Sequence, residues 1–269
     1  MARNIAIIGD YFILPEVFEA ELRKACPDQE LNCRLRQEDW PNSPVVHGYG
    51  DENGPIKEFI GEFDGVADFI GDGEILLIHQ SPLTDGMLER LPSLKLVACS
   101  RGGPVNVDVK AAQKRGVQVV RAPGRNASAV AEFTIGAILT ETRKIRMGHE
   151  ALRNGEWRGD LYRADTTGRE LSEMTVGVVG YGKIGTRVVK ILQAFGCRIL
   201  VCDPYVQLNP TDVAAGIEQV SFETLLAQSD VVTLHARVSE ETTQMINKDS
   251  LSKMKSDALL VNTARGPLC

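Results

Sequence analysis

The sequence predicts an α/β protein built from two doubly wound parallel-sheet domains, and three observations carry that expectation. Short aliphatic runs alternate with segments of helical apolar spacing from Ile5 to Val120. The same alternation restarts at Val176 and continues to Asn262. Between the two lies a long apolar helical pattern, Ala127–Leu152, entered through the turn-forming Arg121-Ala122-Pro123-Gly124. That turn sets the expected domain boundary, giving residues 1–124 and 125–269.

In chain order, Ile5–Ile8 reads as a buried strand, Pro15–Cys26 as a helix and Leu31–Leu35 as a weaker strand. Residues 39–72 are rich in Gly, Pro, Asn and acids, and the stretch HGYGDENGP cannot pack as a regular element. The spacing predicts one helical piece there, Ile56–Phe63, within a solvated insertion. Ile75–His79 is a strand, followed by a helix with Thr84 as N-cap and Met87, Leu88 and Leu91 on one face. Leu94–Ser100 is a strand ending in the Gly-rich turn Arg101-Gly102-Gly103. Asp108–Arg115 is a helix stopped by Gly116, and Val117–Val120 is the next strand.

The second half is organised around MTVGVVGYGKIG, Met174–Gly185. Val176, Val178 and Val179 form a β-branched run suited to a strand buried on both faces. It leads into Gly180, Gly182 and Gly185, with Tyr181, Lys183 and Ile184 between them. At this spacing one glycine permits a tight turn, one the close approach of a pyrophosphate, and one the packing of helix on strand. Thr186–Phe195 has helical spacing, so a helix N-terminus would face the phosphates. The next strand, Arg198–Cys202, ends in Asp203-Pro204, and an acid at that distance holds an adenosine ribose by its hydroxyls. A dinucleotide site is the reading. Helices at Phe222–Gln228 and Ser250–Met254 and strands at Val231–His235 and Ala258–Asn262 complete the pattern. Ligands of such sheets sit at the C-terminal strand ends. Those ends hold Asp203, His235 with Arg237, and Asn262-Thr263-Ala264-Arg265-Gly266.

Composition narrows the partners. A net charge of −6 and a pI near 5.4 argue against general binding to nucleic acid or anionic membranes. No apolar run approaches membrane-spanning length, and the short apolar start MARNIAIIGDYF reads as a first strand rather than a signal peptide. Cys26, Cys33, Cys99, Cys197, Cys202 and Cys269 sit at no metal-like spacing. Reduced, buried thiols in a cytoplasmic protein without a metal site are expected.

VGVVGYGKIG, DVVTLHARVSEETTQMIN and ALLVNTARG together resemble the D-isomer-specific 2-hydroxyacid dehydrogenases, the group that includes phosphoglycerate dehydrogenase. LKLVACSRGGPVNVDVKAAQKRGVQV and GRNASAVAEFTIG resemble the same family in the same order. The resemblance implies a flavodoxin-like substrate domain, a Rossmann NAD-binding domain, and interconversion of a 2-hydroxy acid and a 2-oxo acid. It implies that Arg265 is catalytic, holding the substrate carboxylate and polarising the adjacent oxygen. Arg101, Gly102 and Gly103 then form the substrate loop. His79, at the end of its strand, lies where the first domain would face a cleft and is read as a substrate contact or else a capping or packing residue. Gly180, Tyr181, Gly182, Lys183, Ile184, Gly185, Asp203, Pro204, His235, Arg237, Thr242, Thr263 and Ala264 would bind NAD. Asn126 lies near the nicotinamide in relatives, and Glu132 is read as an ion-pair or capping partner. His47 and His149 are read as surface residues. The family's proton-transferring histidine and its carboxylate partner lie downstream of the arginine motif, and no residue here takes either role. The expectation is therefore a truncated, fragmentary or degenerate member, poorly stable alone and without useful turnover. A homodimer through Ala127–Leu152 is expected. The competing reading is a non-catalytic NAD-binding sensor or partner protein.

Overall fold

Every strand pair in the structure is parallel. A computed structural model describes residues 2–40 and 54–269, and the chain divides into two units, Met1–Arg125 and Asn126–Cys269. His47 and most of the HGYGDENGP stretch fall outside the described residues.

The first unit contains β1 (Arg3–Gly9), α1 (Pro15–Ala25), β2 (Leu31–Gln37), α2 (Val66–Ile70), β3 (Ile75–Ile78), α3 (Asp85–Glu89), β4 (Leu96–Cys99), α4 (Val109–Lys114) and β5 (Gln118–Arg121). The strand order is β2-β1-β3-β4-β5. Alternate residues of central β1 serve opposite layers, as a period of two requires. Ala6 and Ile8 join a core with Val66, Ile70, Leu88 and Ala112, whereas Ile5 and Ile7 pack with Phe18 and Leu22 of α1. The Thr84 hydroxyl accepts from the Met87 amide at 3.3 Å and the Asp108 carboxylate from the Ala111 amide at 2.9 Å, so both short helices are capped. The left-handed Gly116 ends α4 as expected.

The expected helix at Ile56–Phe63 does not form. Ile56, Phe59 and Ile60 are buried, which produces the helix-like spacing, but Gly61 turns the backbone at φ 83°. The helix of this region is α2, bracketed by the left-handed Gly65 and Gly71.

The second unit contains α5 (Ala127–Thr142), α6 (Ile145–Arg153), β6 (Thr175–Val179), α7 (Gly185–Gln193), β7 (Arg198–Cys202), α8 (Pro210–Ala214), β8 (Glu218–Gln219), α9 (Phe222–Gln228), β9 (Val231–Leu234), α10 (Lys248–Ser252) and β10 (Leu259–Asn262). The order β10-β9-β6-β7-β8 is the dinucleotide-binding order over five strands. The helix expected across Ala127–Leu152 is two helices, because Lys144 adopts the left-handed conformation at φ 56°. Gly168 lies against the end of α5, where an added Cβ would overlap the Thr142 carbonyl oxygen and sit 2.5 Å from its carbon. Arg143 also donates to the Gly168 carbonyl at 2.9 Å. This approach from far along the chain decides where α5 stops. Glu132, read as an ion-pair or capping partner, is exposed and has neither role among the described residues. The expectation of buried thiols holds at Cys99 and Cys197 alone: Cys26, Cys33 and Cys202 are half-buried and Cys269 is exposed.

Asp230 ties the start of the second sheet together. Its carboxylate accepts from the Thr175 amide at 2.7 Å, Arg169 at 2.8 Å and Lys255 at 2.9 Å. Burial alone would raise this carboxyl, but the Thr175 amide and the two cations bring it down to about 2. A depressed carboxyl stabilises the fold above its unfolded value and loses that contribution as the pH falls towards 2. Asp230→Asn should therefore lower stability by about 1–2 kcal/mol at pH 7, after allowance for solvent screening. Urea midpoints at pH 7 and pH 2.5 check this: the gap between variant and parent should shrink in acid, and an equal gap would refute it.

Candidate functional site

The strand order of the second sheet reverses between parallel β6 and β9, and the loops leaving these strands build the site. Gly180 turns at φ 96°, and a Cβ there would fall 2.8 Å from the His235 carbonyl carbon. At Gly185 a Cβ would overlap the Gly180 carbonyl oxygen, so helix and turn meet backbone to backbone. At Gly182 nothing lies within 4 Å, which leaves the backbone open to a ligand. The amides of Gly182, Lys183 and Ile184 carry no hydrogen bond among the described residues, just before nine-residue α7. Unpaired amides at a helix start are suited to a phosphate.

Asp203 ends β7. One carboxylate oxygen accepts from the Tyr181 amide at 2.7 Å, and the other from the Tyr205 and Val206 amides at 2.9 and 3.1 Å. Three amides thus orient the carboxylate, and the oxygen facing Tyr181 retains a lone pair for a hydroxyl donor. Pro204 is exposed beside it. The Tyr181 ring turns into the core, where its hydroxyl donates to Asp212 and accepts from Asn209 at 2.7 Å. Burial, then the adjacent Asp212 carboxylate, pushes this phenol up to about 12. Of Tyr181, the backbone belongs to the turn and the side chain anchors it.

His235 follows β9. Its Nε2 lies 3.1 Å from the Thr233 hydroxyl, while Nδ1 is buried without a partner. Burial brings the imidazole down to about 4, so it is neutral at physiological pH. An orphaned polar atom beside the glycine turn is what a site shaped for a polar ligand leaves behind. Thr242 donates to the Arg237 carbonyl at 2.5 Å and accepts from the Ser239 amide at 2.8 Å, closing the loop that carries exposed Arg237. After β10, the Thr263 hydroxyl meets that of Thr134 at 2.8 Å, pinning this strand end to α5. Asn262 accepts from the Ala264 amide at 3.1 Å and donates to the Arg265 carbonyl at 2.8 Å. That turn presents an exposed Arg265.

The remaining candidates lie in the first unit. Arg101 is buried, and its guanidinium is engaged by the Glu58 carboxylate and carbonyl. Gly102 and Gly103 are exposed, with amides that carry no hydrogen bond among the described residues. His79 is buried against Asp10, with Nδ1 2.8 Å from the carboxylate, and its Nε2 lies 3.2 Å from Arg125. Sequence reading singled out His79 without this partnership. The signal was available in the register, since Ile8 pairs with Ile78 and the residues just beyond must converge. Among the described residues no group of His, Cys, Asp and Glu could hold a metal, and no helix is long and apolar enough to cross a membrane.

Residues 135–269 match the family described as "D-isomer specific 2-hydroxyacid dehydrogenase, NAD binding domain". The chain belongs to the D-isomer specific 2-hydroxyacid dehydrogenase family. Among its relatives, a glyoxylate reductase of Thermofilum pendens is 38% identical over 200 residues, covering 74% of this chain and 59% of the relative. A 2-hydroxyacid dehydrogenase homolog of Haemophilus influenzae is 40% identical over 184 residues, covering 68% of this chain and 54% of the relative. The chain thus spans little more than half the length of these curated relatives. The apo-structure of D-lactate dehydrogenase from Escherichia coli superposes with a TM-score of 0.73 at 26% identity, covering 100% of this chain and 75% of that one. The glycine turn and its Asp203 lie in the matched NAD binding domain of this family.

Proposed function

We propose that the protein is an NAD-dependent oxidoreductase that interconverts a 2-hydroxy acid and a 2-oxo acid. The observation that carries this reading is the set of three unpaired amides at Gly182, Lys183 and Ile184, with amide-oriented Asp203 and orphaned His235 around the same turn. In this reading those amides, with the backbone of Gly180, Tyr181 and Gly185, cradle the pyrophosphate. Asp203 accepts from the adenosine ribose, and Pro204, His235, Arg237, Thr242, Thr263 and Ala264 line the cofactor. The nicotinamide, when bound, supplies or accepts the hydride. Arg265 holds the substrate carboxylate in a two-bond fork and polarises the neighbouring oxygen. Within the first unit, the exposed Gly102 and Gly103 amides suit a carboxylate, whereas the Arg101 side chain holds the Glu58 segment. His79 joins the substrate side through the group it positions. Small 2-oxo acids are the first substrates to try, a choice supported by the relatives named glyoxylate reductase and 2-hydroxyacid dehydrogenase homolog. The six unpaired thiols support a reducing, cytoplasmic location.

Calorimetric titration with NADH and NADPH tests the cofactor assignment. Asp203 accepts ribose hydroxyls and repels a 2′-phosphate, so NADH should bind about tenfold to a hundredfold tighter. Asp203→Ala should narrow that gap. Failure of NADH to bind the parent chain would sink the whole reading, and equal affinities would sink the role of Asp203.

A homodimer belongs to the same proposal. Phe133 and Trp157 are 71% and 74% exposed, and Ile145, Leu152 and Tyr162 are also exposed along α5, α6 and the segment after them. Apolar side chains concentrated in this way suit a two-fold self-contact. Light scattering at tens of micromolar should give a dimer mass, and a monomer mass would count against it.

A further inference from the structure

Two arginines beyond strand ends of the first unit, Arg101 after β4 and Arg125 after β5, are used in opposite ways. Arg101 is buried, and its guanidinium is met by a carboxylate. Arg125 is exposed, and both of its partners are uncharged oxygen or nitrogen acceptors. Its Nε–H donates to the Ser100 carbonyl at 3.0 Å, and one Nη2–H is directed to His79 Nε2 at 3.2 Å. Those two hydrogens occupy one edge of the guanidinium. The end-on edge, formed by Nη1 and the second Nη2 hydrogen, has no partner among the described residues.

His79 can accept from Arg125 only while Nε2 carries a lone pair, so its proton must sit on Nδ1. Asp10 enforces this tautomer. One of its oxygens lies 2.8 Å from Nδ1, and the other accepts from the Phe12 and Ile13 amides at 2.8 and 3.0 Å. Burial would raise this carboxyl, but the His79 bond and the two amides hold it below the ordinary range. Asp10 therefore sets the tautomer of His79, and the His79 lone pair sets the plane of Arg125. A carboxylate in the place of His79 would have fixed the guanidinium equally well but neutralised it. Beside this group, the Phe12 ring stands edge-on to His79 at 5.6 Å and to Trp40 at 5.0 Å, and both aromatic rings are exposed.

We propose that Arg125, held by the Asp10–His79 pair, is a carboxylate receptor of the first unit, and that Phe12 and Trp40 flank the uncharged part of its ligand. The ligand class is a small organic acid with an apolar substituent. The proposal rests on the reading of His79 as a substrate-side residue, and titration without NAD and without the Arg265 side chain separates its failure from failure of the hydride-transfer reading.

Calorimetric titration of the full chain without NAD, using phenylpyruvate, oxalate and inorganic phosphate, tests it. Phenylpyruvate should bind best, and Arg125→Ala should weaken it at least tenfold, the loss expected for a charged two-bond fork. Arg125→Lys, which keeps the charge without the fork, should fall between them. In an Arg265→Ala background the Arg125-dependent part should persist. Nitrogen-15 spectra of histidine-labelled protein should show the His79 proton on Nδ1, and phenylpyruvate should shift that resonance in the parent but not in Arg125→Ala. Unchanged phenylpyruvate affinity in Arg125→Ala would overturn the proposal. Tighter binding of phosphate than of both carboxylates would overturn the carboxylate assignment, and a proton on Nε2 would overturn the part given to Asp10.

Discussion

Arg265→Ala should leave NADH affinity within about twofold while costing 2-oxo acid binding about 2–4 kcal/mol, a thirtyfold to thousandfold loss. The separation of the two effects follows from how the turn is built. Asn262 holds it by accepting from the Ala264 amide and donating to the Arg265 carbonyl, two bonds that do not involve the arginine side chain. The guanidinium is exposed and spends one N–H on the Ala264 carbonyl. Removing it takes away a cationic fork without opening a core. Titration of oxalate into the NAD-loaded chain is the direct measurement. Equal oxalate affinity in the variant would remove Arg265 from the substrate site, and a parallel collapse of NADH binding would show that the turn itself had failed.

Gly185→Ala and Gly182→Ala should separate folding from binding within one motif. At Gly185 an added methyl overlaps the Gly180 carbonyl oxygen and lies 3.0 Å from its carbon. Backbone on backbone cannot yield as a flexible side chain can, and overpacking of this kind costs about 1–3 kcal/mol or more. Thermal and urea midpoints should both drop, with NADH binding lost as the turn shifts. At Gly182 a methyl meets nothing within 4 Å, so stability should hold within about 0.5 kcal/mol. The same methyl would stand where the backbone is open to a pyrophosphate, so NADH affinity should fall tenfold or more in a stable protein. A Gly185→Ala chain as stable as the parent, or a Gly182→Ala chain with parental affinity, would refute the division of labour.

What the sequence displayed and what it concealed follow from the range of the interactions. Ile5–Ile8 and Val176–Val179 were legible because a central parallel strand is buried on both faces and needs an unbroken aliphatic run. Thr84 and Asp108 were legible because a cap acts within one helical turn. The break at Lys144 was hidden, since the apolar pattern runs on and the limit comes from Gly168, which packs against Thr142 from beyond α6. Ile56–Phe63 misled because burial of three residues in a loop imitates helical spacing. Short α8 and β8 left no expectation at all, being too brief and polar for a periodic signal. Within the site, Asp203 and the glycines were readable as a local motif. The engagement of Arg101 by Glu58 and the Asp10–His79–Arg125 chain were not, because their members meet only through the fold.

The parallel arrangement of the second sheet also orders its assembly in time. No two neighbouring strands there are joined by a hairpin, so each pairing waits for a crossover to close. β6 meets β7 with Thr175 opposite Arg198, but meets β9 with Val176 opposite Val231, more than twice as far along the chain. Loop-closure entropy must be met before such a contact returns any energy, so distant pairings form slowly. The seam where Gly180 touches His235 is the one with the long loop. A refolding chain therefore passes through states in which β6 and β7 are already paired while the two walls of the nucleotide crevice are still apart. Occupancy by a ligand would act there as a late clasp, slowing the reopening of a seam that was slow to close.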